Sequence, residues 1–210
     1  MAARLQTLLS RLNSRKAPEP EKRPVLSEGA APGLKGLAGL EWAWSADLAA
    51  GPFATTAGQS GRMVLPGVKL FHDAGAGEIT LRSGEGAGLD LGLQGFSGSF
   101  LSLVFDLPAE AVQGLRARHL IRLDTSVSAD QGLRAYARLN IRHGPNTEQI
   151  SRELTGPSGI AGVAEFDMFY VGLNERRVEA AWIDLIFNPA ATGRIGVTDL
   201  TVSRRPRAAL

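Results

Sequence analysis

The chain has 210 residues, no cysteine and a formal net charge of +2. This length suits one domain with tails, and the missing cysteines exclude disulfides, thiolate metal sites and cysteine nucleophiles. Residues 1–35 carry seven basic and three acidic residues, and three arginines lie within 204–207, which leaves 13 basic and 18 acidic residues in the body. Because the body is acidic, no nucleic-acid partner is expected.

Residues 1–16 predict a short amphipathic basic helix, because leucines recur there at helical spacing. The apolar stripe consists of Leu5, Leu8, Leu9 and Leu12. Such a helix can lie on a membrane surface or in a partner's groove, or it can fold back on its own domain. The segment lacks an uninterrupted apolar run and a cleavage site, so no secretory signal is predicted. We expect a cytoplasmic protein, with peripheral membrane contact through this helix as an option.

The rest of the chain predicts an all-β protein behind a linker. Residues 17–39 are rich in Pro, Gly and charge, which is typical of a flexible linker. Short apolar runs separated by turn residues then follow over residues 40–205, and residues 206–210 form a basic tail. With 25 glycines and 11 prolines, this spacing favours an antiparallel β-sandwich of jelly-roll type.

One run in the middle of the domain predicts a central strand. Residues 98–107 read GSFLSLVFDL, and this run is apolar on both of its alternating faces. A strand with neighbours on both sides and cover on both faces has this pattern. Pro108 then ends the run, since proline cannot donate to the ladder.

The clearest strand is Leu133 to Arg142, because its alternation is complete. Small and aliphatic residues take one side, which predicts a second layer beneath them. The other side carries a polar row, called here the arginine stripe: Arg134, Tyr136, Arg138, Asn140 and Arg142. Guanidiniums and a phenol ring in a row suit an acidic polysaccharide or another acidic ligand lying across the sheet.

The arginine stripe has a second interpretation, in which its arginines form cross-strand ion pairs within the acidic body. The carboxylates considered for this role are Glu148, Glu153, Glu165 and Asp167. A polar turn follows the stripe directly and forms a second candidate site, with Arg142, His143, Asn146 and Glu148. Loops held by a rigid scaffold are where binding residues often lie.

No catalytic set and no metal site are predicted. Glu165 and Asp167 resemble the start of a glycosidase pattern, but the third acidic position is Tyr170, which would face the other way. His72-Asp73 resembles a phosphohydrolase dipeptide without the further ligands that such sites need. No cofactor is expected.

Five segments together resemble an uncharacterised family of α-proteobacterial proteins over residues 40–208. They are FHD, GSFLSLVFDLP, ARLNIRHGPNTEQISREL, WIDLIF and DLTVSRRPRA. The resemblance implies no activity, since none is assigned to the family. The ending also looks like the last two strands of carbohydrate-binding jelly rolls, which would place Trp182 and Ile195 in the core and Asp199 at a strand edge.

The sequence thus favours a non-catalytic binding module with an anionic glycan or another acidic ligand on the arginine stripe. The alternative is a cytoplasmic interaction or assembly protein that docks through its N-terminal helix.

Overall fold

A computed structural model of the chain describes residues 25–26, 34, 37–49, 54–84, 88–130, 132–154 and 160–208. These residues form strands, connected by turns and by two short 3-10 segments at Ala109–Ala111 and Met168–Tyr170. The strands are β1 (Val25–Leu26), β2 (Trp42–Ser45), β3 (Thr56–Ala57), β4 (Met63–Leu65), β5 (Val68–His72), β6 (Ile79–Ser83), β7 (Leu89–Leu93), β8 (Leu101–Asp106), β9 (His119–Ala129), β10 (Arg134–His143), β11 (Asn146–Leu154), β12 (Ile160–Asp167), β13 (Val178–Asn188) and β14 (Gly193–Pro206).

The strands form two sheets. The six-stranded sheet has the order β11-β10-β13-β8-β5-β4. In the eight-stranded sheet, β14 pairs with β9 along one side and with β7 and β2 along the other, and β12 pairs with β9. Pairing is antiparallel throughout the described residues except between β1 and β2, which are parallel. The predicted antiparallel β-sandwich is therefore confirmed, and its jelly-roll connectivity stays a prediction.

The core lies between the sheets and follows the period of two. On β10 the buried residues are Ala135, Ala137, Leu139 and Ile141, which confirms the predicted apolar side of this strand. The run at residues 98–107 forms β8, which lies between β13 and β5 as a central strand. Burial of these aliphatic side chains is the main stabilising contribution, at about 25 cal/mol per Å² of apolar surface.

Only some of the predictions about the ends of the chain can be compared with the described residues. The predicted helix, with Leu5, Leu8, Leu9 and Leu12, lies outside the described residues. Within the predicted linker, Val25–Leu26 pair with Trp42 and Ala43, and Leu34 is buried, so part of that segment packs on the domain. Strand β14 continues to Pro206, one residue beyond the predicted domain boundary. No helix among the described residues is long and apolar enough to cross a membrane.

A buried charge cluster joins β2, β9 and β14 at one end of the sandwich. The His119 side chain has no solvent exposure, its Nδ1 accepts a hydrogen bond from the Arg116 backbone N–H at 3.0 Å, and its Nε2 lies 3.1 Å from Glu41 Oε2. Arg204 donates to the backbone oxygens of Ala111 and Gln113. Burial, opposed by Glu41 and reinforced by the three neighbouring arginines, lowers the pKa of His119 to about 4.

The His119 pKa predicts an acid-sensitive stability. Between about pH 6.5 and pH 4 the unfolded chain binds a proton at His119 that the folded chain does not, so stability falls as pH falls through this window. The expected loss is on the order of 2–3 kcal/mol. Urea unfolding at pH 7.5 and 4.5 should show a smaller loss for His119→Asn, whose side-chain oxygen can still accept from the Arg116 backbone N–H. Equal losses in parent and variant would assign the acid sensitivity to other groups.

Candidate functional site

The outer face of the six-stranded sheet carries a groove of about 840 Å³. Its walls and floor come from β5, β8, β10, β11 and β13. Apart from Ala181, which belongs to the core, the strand positions are those whose side chains point away from the core. The lining residues are Lys69, Phe71, Phe100, Ser102, Val104, Asp106, Leu107, Arg138, Asn140, Arg142, Gln149, Ala180, Ala181, Trp182, Asp184 and Ile186.

Strand register explains why these side chains meet. On the outer face, Asn140 lies opposite Trp182, and Trp182 lies opposite Asp106. In the next outward-facing row, Arg138 lies opposite Asp184, which lies opposite Val104. Because outward side chains recur every second residue, each such row extends across the sheet as a band of neighbouring groups.

Every cation in the groove has a carboxylate partner. Arg138 contacts Asp184 Oδ2 through Nε at 2.8 Å and Nη2 at 2.6 Å. Lys69 contacts Asp106 at 2.7 Å, and Arg142 contacts Glu179 at 3.1 Å. Two members of the arginine stripe, Arg138 and Arg142, therefore form ion pairs, as the second interpretation predicts. The same two arginines also line the groove.

The carboxylates in these pairs differ from those considered from sequence. Asp184 and Glu179 both lie on β13, next to β10. Glu165 and Asp167 lie on β12 in the other sheet, where they pair with Arg205 and Arg207. Glu148 Oε1 instead lies 3.5 Å from His143 Nε2.

Buried polar groups form part of the groove floor. Asn140 is fully buried, and its Oδ1 accepts from Gln149 Nε2 at 2.9 Å while its Nδ2 donates to the backbone oxygen of Arg138 at 3.2 Å. Asp184 is 3% exposed and Ser102 is 8% exposed. These short side chains lie between longer ones, and fixed polar groups of this kind give a site its specificity.

Aromatic side chains stand at two places in the groove. Trp182 on β13 is half-buried, whereas Phe71 and Phe100 are 37% and 43% exposed near the start of β8. Phe71 on β5 lies opposite Ser102 on β8, and Ser102 lies opposite Ile186 on β13. Trp182 precedes Ile186 by four residues on β13. Phe71 and Trp182 are therefore separated by two strand spacings across the sheet and by four residues along a strand. Regular sheet spacings place their Cα atoms about 16 Å apart.

The structure separates the residues predicted for the site. Arg138, Asn140 and Arg142 line the groove, whereas Arg134 and Tyr136 lie on the same face beyond its lining. His143 is buried on the opposite side, and its Nδ1 accepts from the Asn174 backbone N–H at 3.3 Å. Asn146 is exposed at the turn, and Glu148 is half-buried beside His143. Of the second candidate site, only Arg142 lines the groove, whereas His143, Asn146 and Glu148 do not.

Trp182 is the main groove residue that sequence reasoning misplaced. The jelly-roll resemblance implied a core position, but the inward residues of β13 are Ala181, Ile183, Leu185 and Phe187, and Trp182 faces the groove. Ile195, which the same resemblance placed in the core, is buried there. A central strand apolar on both faces does not reveal which face is the core.

The fold and this site define a two-sheet β protein with a ligand-sized groove across its smaller sheet. The chain matches the family of unknown function DUF6478 over residues 3–210. It therefore belongs to that family. No curated protein matches the chain.

Similar solved structures include the family 11 carbohydrate-binding module from Clostridium thermocellum in complex with a β-1,3-1,4-mixed-linked tetrasaccharide, at 12% identity and a TM-score of 0.40, covering 72% of this chain and 96% of that one. The xylan-binding module CBM15 has 11% identity and a TM-score of 0.41 and covers 75% and 100%. The enzymatically active domain of bacteriophage CBA120 tailspike protein 4 has 7% identity and a TM-score of 0.45, over 64% of this chain and 19% of that one.

Proposed function

We propose that this protein is a non-catalytic binding module that holds a linear oligosaccharide in the groove of the six-stranded sheet. The observation that carries the proposal is the combination of three aromatic side chains with ion-paired polar groups in a space of about 840 Å³. Sugar rings have apolar C–H faces that pack on aromatic rings and hydroxyls that exchange hydrogen bonds with polar side chains.

The separation of the aromatic groups supports an extended ligand. Sheet geometry places the Cα atoms of Trp182 and Phe71 about 16 Å apart, which is longer than one sugar ring. The polar groups Asp184 and Ser102 lie between them, and Arg138 pairs with Asp184 from the other side of β13. A chain of several sugar units would contact both aromatic groups, whereas a monosaccharide would contact one.

Charge pairing favours a neutral sugar. Lys69, Arg138 and Arg142 each have a carboxylate partner. Each pair of cation and carboxylate therefore offers hydrogen-bond donors and acceptors side by side to the hydroxyl groups of a sugar. An anionic glycan is the second candidate, because the lining itself contains these three cations and only two carboxylates, Asp106 and Asp184.

Titration calorimetry with cellotetraose, xylotetraose and tetragalacturonate tests the proposal. We expect a neutral tetrasaccharide to bind more tightly than its disaccharide, with little dependence on salt, whereas an anionic ligand should weaken as salt screens the cations. A blocking variant, Ala180→Trp, fills the groove floor and should abolish binding. Its control, Val163→Trp, places the same bulk on the exposed face of β12. Absence of binding by the parent, or equal binding by both variants, would overturn the proposal.

A further inference from the structure

Two neighbouring segments that run between the sheets form one end of the groove. Residues 73–78 join β5 to β6, and residues 94–100 join β7 to β8. The second segment ends at Phe100, whose outward position on the approach to β8 places it in the groove lining. Because Phe100 is 43% exposed, the core does not fix this ring, and its position depends on what holds the segment.

The Asp73 carboxylate holds that segment at Phe100 itself. Asp73 Oδ1 accepts hydrogen bonds from the backbone N–H groups of Ser99 at 2.7 Å and Phe100 at 3.2 Å, and Oδ2 accepts from Ser99 Oγ at 2.5 Å. The Ser99 hydroxyl, followed by the Phe100 backbone N–H, lowers the pKa of the Asp73 carboxyl, so the acceptor is ionised at neutral pH.

The approach of the two segments is close. A Cβ atom on Gly98 would lie 2.6 Å from Asp73 Oδ1, 2.7 Å from the Phe96 ring and 3.1 Å from the Ala74 backbone nitrogen. Any larger residue at this position would force the Asp73 carboxylate and the Phe96 ring to move. This contact, together with three hydrogen bonds to one carboxylate, fixes the backbone on which Phe100 stands.

A second carboxylate holds the same segment further from the groove. Glu78 accepts from the Ser97 backbone N–H at 2.7 Å and from the Ser97 hydroxyl at 2.9 Å. Neither Glu78 nor Ser97 lines the groove. The protein thus supplies an internal control, because the two clamps are chemically alike and differ in their distance from the aromatic ring.

We propose that Asp73 is a positioning residue of the groove, which fixes Phe100 as an aromatic wall before ligand arrives. This inference rests on the proposed function. A pre-positioned ring loses less conformational freedom when a ligand packs on it, which strengthens binding without a new contact. Glu78 stabilises the segment but does not position the ring.

The test compares Asp73→Ala with Glu78→Ala in the full chain, with cellotetraose, xylotetraose and tetragalacturonate as the probes. We expect Asp73→Ala to weaken binding of the accepted tetrasaccharide about 3- to 10-fold and Glu78→Ala to change it less than about twofold. Asp73→Asn, which keeps an oxygen acceptor for the backbone N–H groups, should lie between the parent and Asp73→Ala. Amide hydrogen exchange at Ser99 and Phe100 should accelerate in Asp73→Ala with no ligand present.

The possible outcomes distinguish the positioning role of Asp73 from the proposed glycan binding. Faster exchange at Phe100 with unchanged affinity would overturn the positioning role and leave glycan binding intact. Equal weakening by Asp73→Ala and Glu78→Ala would also overturn it, since the effect would then be general loosening of the segment. A parent protein that binds none of the three probes would overturn the proposed function, and the positioning role with it.

Discussion

Replacing Trp182 with alanine should weaken oligosaccharide binding at least about 30-fold, which corresponds to the roughly 2 kcal/mol typical of a central aromatic anchor. Trp182 is the largest apolar side chain in the groove lining, and it stands on β13 between the paired charges of β10 and β8. Truncation removes the surface on which a sugar ring packs and leaves the neighbouring polar groups without a ligand held against them.

The matched control for this prediction is Tyr136→Ala. Tyr136 points from β10 to the same outer face and lies opposite Ile186, but it does not line the groove. Titration calorimetry should therefore give near-parental affinity for the control. Because the inward residues of β13 are unchanged in Trp182→Ala, thermal unfolding should detect only a modest shift. Equal loss of binding in both variants would place the ligand across the whole face and contradict the groove as the site.

The predictable part of the fold is the part encoded by local alternation. In β10, small and aliphatic residues alternate with polar ones, and the period of two places Leu139 in the core and Arg138 outside before any partner strand is known. Burial of Ala135, Leu139 and Ile141 confirms this. The same reasoning identified β8 as central, since both faces of its run are apolar.

The pairing of strands was not predictable, and the site depends on it. Arg138 and Asp184 are 46 residues apart in sequence, and they become neighbours only because β10 pairs with β13. The carboxylates Glu165 and Asp167 are closer in sequence to Arg138, yet β12 lies in the other sheet. Alternation assigns each side chain to a face, whereas strand order decides which charges meet on that face.

The outward side of β13 illustrates a second limit. Ala180, Trp182 and Ile186 are apolar residues on a face that is open to the groove. An apolar residue on a central strand is compatible with burial under a second layer or with a ligand site, and the sequence pattern is the same for both. The presence of Asp184 among them is the one local signal that this side is not the core.

The buried position of Asp184 leads to the second large effect, on stability. Arg138→Met should lower the free energy of unfolding by about 2–3 kcal/mol, because it removes the hydrogen bond and the ion-pair contact to a carboxylate that is only 3% exposed and leaves its charge without a partner. Arg142→Met removes the same kind of side chain from the same strand. Its partner Glu179 has a side chain 48% exposed, and water can replace the lost guanidinium.

Urea unfolding at neutral pH should therefore separate the two variants, with Arg142→Met within about 0.5 kcal/mol of the parent. A double variant, Arg138→Met with Asp184→Leu, should recover much of the loss, since it removes the unpaired charge together with its former partner. Similar losses for Arg138→Met and Arg142→Met would contradict the assignment of Asp184 as a buried carboxylate. The contrast shows how one stripe of arginines can combine two roles: one guanidinium supports the groove floor, and the other lies at its margin, where replacement should alter ligand contact without a large cost to the fold.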